Sequence, residues 1–329
     1  MYTSFYKLRG RPFKLTPDHR FFYEGSPHRQ AIAYLTYGLS QREGFVVITG
    51  EVGTGKTILV DYLFSKLHEE NFVTGKVVTT QLGADNLLRM VADAFGIESE
   101  TTDKATVLKK LTSFLVGAHQ SNTRPLLIID EVQNLSKAAL EELRMLSNYQ
   151  LRELPLLQTF LVGQPQFRET MASGGLEQLG QRIIASHHLR PLDAAETQKY
   201  IEHRLGHVGW QNDPKVTDAA FALVFAETGG VPRRINLLLD RLLLFGFLEE
   251  RHEIDEAVVE EVLCDMRSEG LPSVLDRPQG AQIADPWPTT QLESAHAAST
   301  EEPDPRDTDI EALSARVAEL EQLLKERAG

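Results

Sequence analysis

The chain has 329 residues, enough for about two domains, and its 42% hydrophobic and 25% charged content is ordinary for globular proteins. The formal net charge of −13 argues against wholesale coating of nucleic acid. A single cysteine, Cys264, excludes an internal disulfide, suits a reducing cytoplasm, and is expected as a small buried residue. The most apolar stretch, Ile235–Leu248, is interrupted by Asp240 and Arg241, so no transmembrane helix is expected. The opening Met-Tyr-Thr-Ser-Phe-Tyr-Lys lacks the basic-then-apolar form of a signal peptide, and a cytoplasmic location is expected.

Residues 1–190 alternate short β-branched runs with amphipathic stretches, which predicts an α/β domain. Strands are predicted at Phe45–Thr49, Lys76–Thr80, Leu126–Ile129, Leu156–Val162 and Ala185–Leu189. Helices are predicted at Thr57–His68, Ala84–Phe95, Lys104–Ala118 and Lys137–Ser147. Leu126-Leu-Ile-Ile carries no polar alternation, so both its faces are buried, as in a parallel sheet sandwiched by helices. Residues 191–269 read as a small all-helical domain: Asp193 and Asp255 cap helices, Gly229-Gly230 ends one, and Pro232 opens the next. Residues 270–308, rich in Pro, Ser, Ala and acids, are predicted as a disordered linker. Within 271–329 there are 12 acids against 5 bases, so this segment holds −7 of the net charge. Residues 309–329 regain a period: Ile310, Leu313, Val317, Leu320 and Leu324 form the seam of a short coiled-coil helix.

The chemistry begins at Gly50-Glu51-Val52-Gly53-Thr54-Gly55-Lys56-Thr57, a G-x-x-x-x-G-K-[ST] loop between an apolar strand and an amphipathic helix. Its backbone N–H groups close around phosphate oxygens, Lys56 reaches the β- and γ-phosphates, and the Thr57 hydroxyl ligates Mg²⁺. The strand Leu126–Ile129 delivers two carboxylates to its end, Asp130 for Mg²⁺ and Glu131 to polarise the attacking water. Gln164 ends a further strand, expected between the other two, with its amide toward the γ-phosphate or the water. Arg233, at the start of a helix in Gly230-Val-Pro-Arg-Arg-Ile-Asn236, would fold over the nucleotide. Arg182, just before the last strand of the α/β domain, would reach a neighbouring subunit's nucleotide. His187-His188 face opposite sides of a strand and are no metal pair, and Tyr200 and Trp210 read as packing residues.

This order of parts resembles a AAA+ ATPase, in which a P-loop NTPase sheet is followed by a helical lid. Phe5-Tyr6, Pro12-Phe13, Thr16-Pro17, Tyr23, His28, Asp130–Leu135, Leu143–Asn148, Val162-Gly-Gln-Pro165 and Gly229–Asn236 together resemble the general secretion pathway component A (ExeA-type) ATPases. Within that group the chain is similar to the subfamily found at exosortase (PEP-CTERM) and exopolysaccharide loci. The resemblance covers roughly residues 1–267. It implies Walker A roles for Lys56 and Thr57, Walker B roles for Asp130 and Glu131, sensor roles for Gln164 and Arg233, and an arginine finger in Arg182. It also implies an adenine wall within Pro12–Tyr23, ATP and Mg²⁺ as cofactors, and a homo-oligomer such as a hexameric ring. The implied task is regulation or assembly of an export system, with the C-terminal helix docking a partner that would recruit the protein to the inner membrane. ExeA-type proteins continue into a transmembrane helix and a peptidoglycan-binding domain; this sequence carries an acidic linker and a heptad helix instead. The alternative is a DNA-handling ATPase of the transposition-helper type, but Lys199, Arg204, Arg233, Arg234 and Arg241 make no obvious basic stripe. A GTPase switch would need an Asn-Lys-x-Asp motif, which the sequence lacks.

Overall fold

A computed structural model describes residues 1–16, 18–66, 71–79, 83–98, 103–152, 154–172 and 176–269. The expected linker and the Ile310–Leu324 seam lie outside the described residues. The strands are β1 (Phe45–Gly50), β2 (Phe72–Val78), β3 (Arg124–Asp130), a two-residue antiparallel pair β4 (Gln150–Leu151) and β5 (Leu154–Pro155), then β6 (Gln158–Gly163) and β7 (Ile183–Leu189). Five of them form one parallel sheet in the order β2-β3-β6-β1-β7. Every residue of β1 and β6 is buried, as the unbroken apolar runs require of central strands covered on both faces.

In chain order the helices as far as β7 are α1 (Tyr2–Phe5), α2 (Ser26–Gln41), α3 (Lys56–Lys66), α4 (Ala84–Ala94), α5 (Lys104–Gln120), α6 (Lys137–Leu146), α7 (Gln166–Ala172) and α8 (Glu177–Gly180). Ile48, Leu59, Leu126, Ile128, Phe160 and Val162 share one core with Ala31, Leu35 and Leu39 of α2. Several boundaries differ from expectation, two of them for plain local reasons. β2 starts at Phe72 because Gly75, a poor strand residue by sequence, makes room for Phe95: a Cβ there would come within 3.0 Å of that ring. β6 starts at Gln158 because Leu156 still belongs to the preceding turn, its N–H donating to Tyr149 O at 3.0 Å.

Beyond the sheet come α9 (Ala194–His207), β8 (Lys215–Val216), α10 (Asp218–Thr228), α11 (Pro232–Leu248), β9 (Glu253–Ile254) and α12 (Glu256–Ser268). Asp193 and Asp255 cap α9 and α12, accepting from Glu196 N at 2.8 Å and Val258 N at 3.0 Å. The expected all-helical stretch therefore also holds a short parallel pair, β8–β9. Cys264 is exposed rather than buried: the inward stripe of α12 is Val258, Val259, Val262, Leu263 and Met266, and position 264 falls off it.

The N-terminal residues, expected with the α/β domain, bury their rings in the helical region instead. Tyr2, Tyr6, Leu8, Phe13 and Phe21 share a core with Leu205, Leu239 and Val259. Tyr2 donates to Asp240 Oδ1 at 2.6 Å, Arg11 to Asp240 Oδ2 at 2.7 Å, and Tyr6 to Arg251 O at 2.9 Å. Burial and the Asp240 partner push the Tyr2 hydroxyl pKa well above its usual 10.0. This N-terminal strap brings Lys14, Phe21, Phe22 and Tyr23 to the cavity beside the loop that follows β1.

Candidate active site

The loop after β1 runs into α3, so the free N–H groups of the first helical turn point into it. Lys56 is only 7% exposed, and its ammonium donates to Gly50 O and Glu51 O at 2.8 Å each. An ammonium has three donors, so one is left for an incoming anion. Burial lowers the Lys56 pKa, while Glu131, Asp130 and Glu51 pull it the other way. Gly53 has φ +87° and its carbonyl accepts from Arg233 N at 3.1 Å, which ties the loop to the start of α11.

Asp130 ends β3 beside this loop and is buried. Thr57 Oγ1 donates to Asp130 Oδ2 at 2.8 Å, while Asp130 Oδ1 accepts from Glu131 N at 2.9 Å. Two hard oxygen donors thus stand side by side next to a phosphate loop. That donor set fits Mg²⁺, which takes one or two protein oxygens and completes its shell with substrate phosphates and water. Glu131 has φ +56°, a left-handed conformation costing about 1–2 kcal/mol outside glycine. Thr79, at the end of β2, holds this corner: its hydroxyl lies 2.6 Å from Glu131 O and 2.9 Å from Asp130 O.

β6 lies between β1 and β3, and so Gln164 emerges between the loop and the carboxylates. Its Nε2 donates to Glu131 Oε2 at 3.1 Å. Gln133 reaches the same oxygen through its own Nε2, and its Oε1 accepts from Gln164 N at 3.0 Å. Lys56, Thr57, Asp130, Glu131 and Gln164 are therefore all brought together.

A cavity of about 320 Å³ opens from the loop. It is lined by Val52–Ile58 and Glu131, by Lys14, Phe21, Phe22 and Tyr23 of the N-terminal strap, and by Tyr200, Arg204, Arg233 and Asn236. That volume lies within the range of small-molecule sites. Its far wall is a polar relay: Arg204 Nη1 donates to Tyr200 OH at 2.8 Å, and Tyr200 OH to Asn236 Oδ1 at 2.8 Å. Arg204 Nε donates to Pro12 O at 2.7 Å, and its guanidinium carbon lies 5.1 Å from the Phe21 ring centre. Tyr200 is thus more than a packing residue, and burial raises its pKa. His28, buried beside the loop, approaches Thr54 O at 3.4 Å, and burial lowers its pKa.

Arg182 is not brought to this site. It precedes β7, its carbonyl accepts from Phe45 N at the start of β1, and its Nη1 donates to Ser147 O and Oγ at 3.2 and 3.1 Å. The loop leaves the other end of β1, about 20 Å away at ~3.3 Å per residue. His187 stacks on Tyr34, whereas His188 meets Thr49 Oγ1 at 3.0 Å. Among the described residues no cluster of three or more His, Cys, Asp or Glu could hold a metal.

Thr79, Gln133, Tyr200, Arg204 and Asn236 escaped the sequence reading as site residues. Gln133 alone carried a usable signal, because a polar residue two positions after Glu131 in a tight turn can bend back to it.

Comparisons with known proteins agree with this architecture. Residues 39–171 match the AAA domain family. The chain is 35% identical over 277 residues to general secretion pathway protein A of Aeromonas hydrophila, which covers 82% of this chain and 50% of that protein. The chain therefore spans about half the length of that curated relative. Among solved structures, Cdc6p from Pyrobaculum aerophilum superposes with a TM-score of 0.61 at 15% identity, over 76% of this chain and 71% of its own. The Aeropyrum pernix ORC2 protein, solved as ADPNP–ADP complexes, gives 0.56 at 19% identity, over 72% of this chain and 66% of its own. Among the described residues no helix is long and apolar enough to cross a membrane. The chain has a P-loop NTPase fold, its residues 39–171 match the AAA domain family, and over 277 residues it is similar to general secretion pathway protein A.

Proposed function

We propose that this protein hydrolyses ATP to ADP and phosphate in a Mg²⁺-dependent site shared between subunits of a homo-oligomer. The observation that carries this reading is that Lys56, Thr57 and Glu131 line one cavity, with Asp130 bonded to Thr57 and Gln164 to Glu131 behind them. In this reading Lys56 binds the β- and γ-phosphates, together with the backbone of Gly50, Glu51, Val52, Gly53, Thr54 and Gly55. Thr57 and Asp130 hold Mg²⁺, which neutralises phosphate charge when bound. Glu131 takes the proton of the attacking water, Gln164 orients that water, and Arg233 senses the terminal phosphate from α11. Arg182 serves the site of a neighbouring copy.

The biological task in this reading is regulation or assembly of a bacterial export system, of the kind linked to exopolysaccharide or exosortase substrates. The identity to general secretion pathway protein A supports the export part, and the acidic residues 271–329 supply the docking segment for an inner-membrane partner.

Three experiments test the site. Lys56→Ala is expected to abolish ATP binding. Glu131→Gln is expected to retain binding but lose about 10²–10⁴ in rate; hydrolysis at the wild-type rate would remove Glu131 from the role of base. Mixing Arg182→Ala with Glu131→Gln protein is expected to restore part of the activity, and no rescue at any ratio counts against a shared site. The second reading, a DNA-handling ATPase, predicts micromolar duplex binding at physiological salt with steep salt dependence. The net charge of −13 favours the first.

A further inference from the structure

Gln133 uses both ends of its amide on the catalytic corner. Its Nε2 donates to Glu131 Oε2, and its Oε1 accepts from the backbone N–H of Gln164 at 3.0 Å. The partners fix the orientation: a carboxylate can only accept and a backbone N–H can only donate. The tip of β6 is shaped for this contact. A Cβ on Gly163 would stand 2.9 Å from Gln133 Oε1 and 2.6 Å from Val132 Cγ1, so any side chain there would expel the amide. Gln164 closes the triangle through its own Nε2, which reaches Glu131 Oε2 at 3.1 Å. Glu131 Oε2 thus carries two amide donors, whereas Oε1 has no donor among the described residues.

We infer that Gln133 is a positioning residue for hydrolysis, holding Glu131 by one oxygen so that the other stays free to take the proton of water. An amide nitrogen carries two N–H groups. When Gln164 turns one toward a terminal phosphate, Gln133 still holds the base, and its grip on Gln164 N keeps that amide in register with Glu131. The inference rests on Glu131 being the base, and it adds a residue to which no motif assigns a role.

The test is a set of variants read by steady-state ATP hydrolysis and by affinity for a fluorescent ADP analogue. Gln133→Met keeps the length of the side chain and removes the amide. It is expected to lower kcat about 10- to 100-fold, the loss of a hydrogen bond to a charged group, while KM and ADP affinity stay within about two-fold. Gln133→Glu keeps an acceptor for Gln164 N but sets a carboxylate against Glu131, and is expected to lose at least as much. In a Glu131→Gln background, Gln133→Met is expected to change the residual rate no further, because it acts through Glu131. Wild-type kcat in Gln133→Met overturns the inference. So does a further fall in the double variant, or a loss of ADP affinity equal to the loss of kcat. If Glu131→Gln is inactive while Gln133→Met is normal, only this inference fails; if Glu131→Gln is itself normal, the assignment of the base fails first. Should Gln133→Met not fold by thermal melting, Gln133→Glu decides the matter.

Discussion

Replacing Gly53 by Ala tests whether the helical region sets the geometry of the phosphate loop. Gly53 has φ +87°, where an L side chain costs about 1–2 kcal/mol. The new Cβ would lie 2.5 Å from Arg233 Cβ, about 1 Å inside ordinary carbon contact. Neither atom belongs to a flexible side-chain end, so the start of α11 must retreat. Retreat breaks the Arg233 N to Gly53 O bond of 3.1 Å, a further loss of about 1 kcal/mol. The total of about 2–3 kcal/mol falls on the arrangement with α11 docked on the loop. At 1.4 kcal/mol per decade it corresponds to about a 30- to 150-fold fall in kcat/KM for ATP. Gly53 lies in neither the core around Leu239 nor the core around Ile48, so the melting temperature should move by only a few degrees. Phosphate release across a range of ATP concentrations, paired with thermal melting, reads both quantities. A kcat/KM within three-fold of wild type would refute the reasoning, since the clash would then be relieved without moving Arg233.

The remaining predictions concern stability and the catalytic corner. Burial holds His187 and His188 to about 4, below the usual 6.5, with His188, Arg190 and His28 adding to the shift at the first and Arg168, Arg190 and Lys56 at the second. The unfolded chain therefore binds protons that the folded chain refuses, so stability is full above pH 6.5 and declines as pH falls towards 4. Denaturant midpoints from pH 7.5 to 4.5 should show this, and the His187→Phe/His188→Gln variant should flatten the decline. Arg204→Met removes the bonds to Pro12 O and Tyr200 OH; it should destabilise by about 3 kcal/mol and expose the N-terminal strap to trypsin, seen by melting and limited proteolysis. Thr79→Val keeps the volume but loses the hydroxyl contacts to Asp130 O and Glu131 O; it should lower kcat about ten-fold with little change in ADP affinity.

What was legible in the sequence was whatever a short span of chain decides. The phosphate loop is eight contiguous residues whose glycines, lysine and threonine act through their own backbone, so spacing alone announced it. The helix caps at Asp193 and Asp255 were equally local. Gln164 needed one further step, the placing of β6 between β1 and β3, which the unbroken apolar runs supported. Gln133 needed more. Its reach to Glu131 depends on the left-handed backbone of Glu131 and the tight turn that follows, and its reach to Gln164 spans 31 residues. The N-terminal strap lay further out of sight: Tyr2 meets Asp240 across 238 positions, and no period in residues 1–23 says which domain covers them.

Arg182 shows how topology can yield what contacts do not. β1 and β7 are parallel neighbours, with Thr49 beside His188 and Gly50 beside Leu189. The phosphate loop leaves the far end of β1, whereas Arg182 stands at the near end of β7 and bonds to Ser147. Parallel pairing alone thus puts the arginine and its own loop at opposite edges of the sheet, a full strand length apart. No rotamer of a side chain about 7 Å long spans about 20 Å. In the proposed reading Arg182 therefore acts on the nucleotide of another copy, which is why the mixing experiment decides its role and a same-chain rescue cannot.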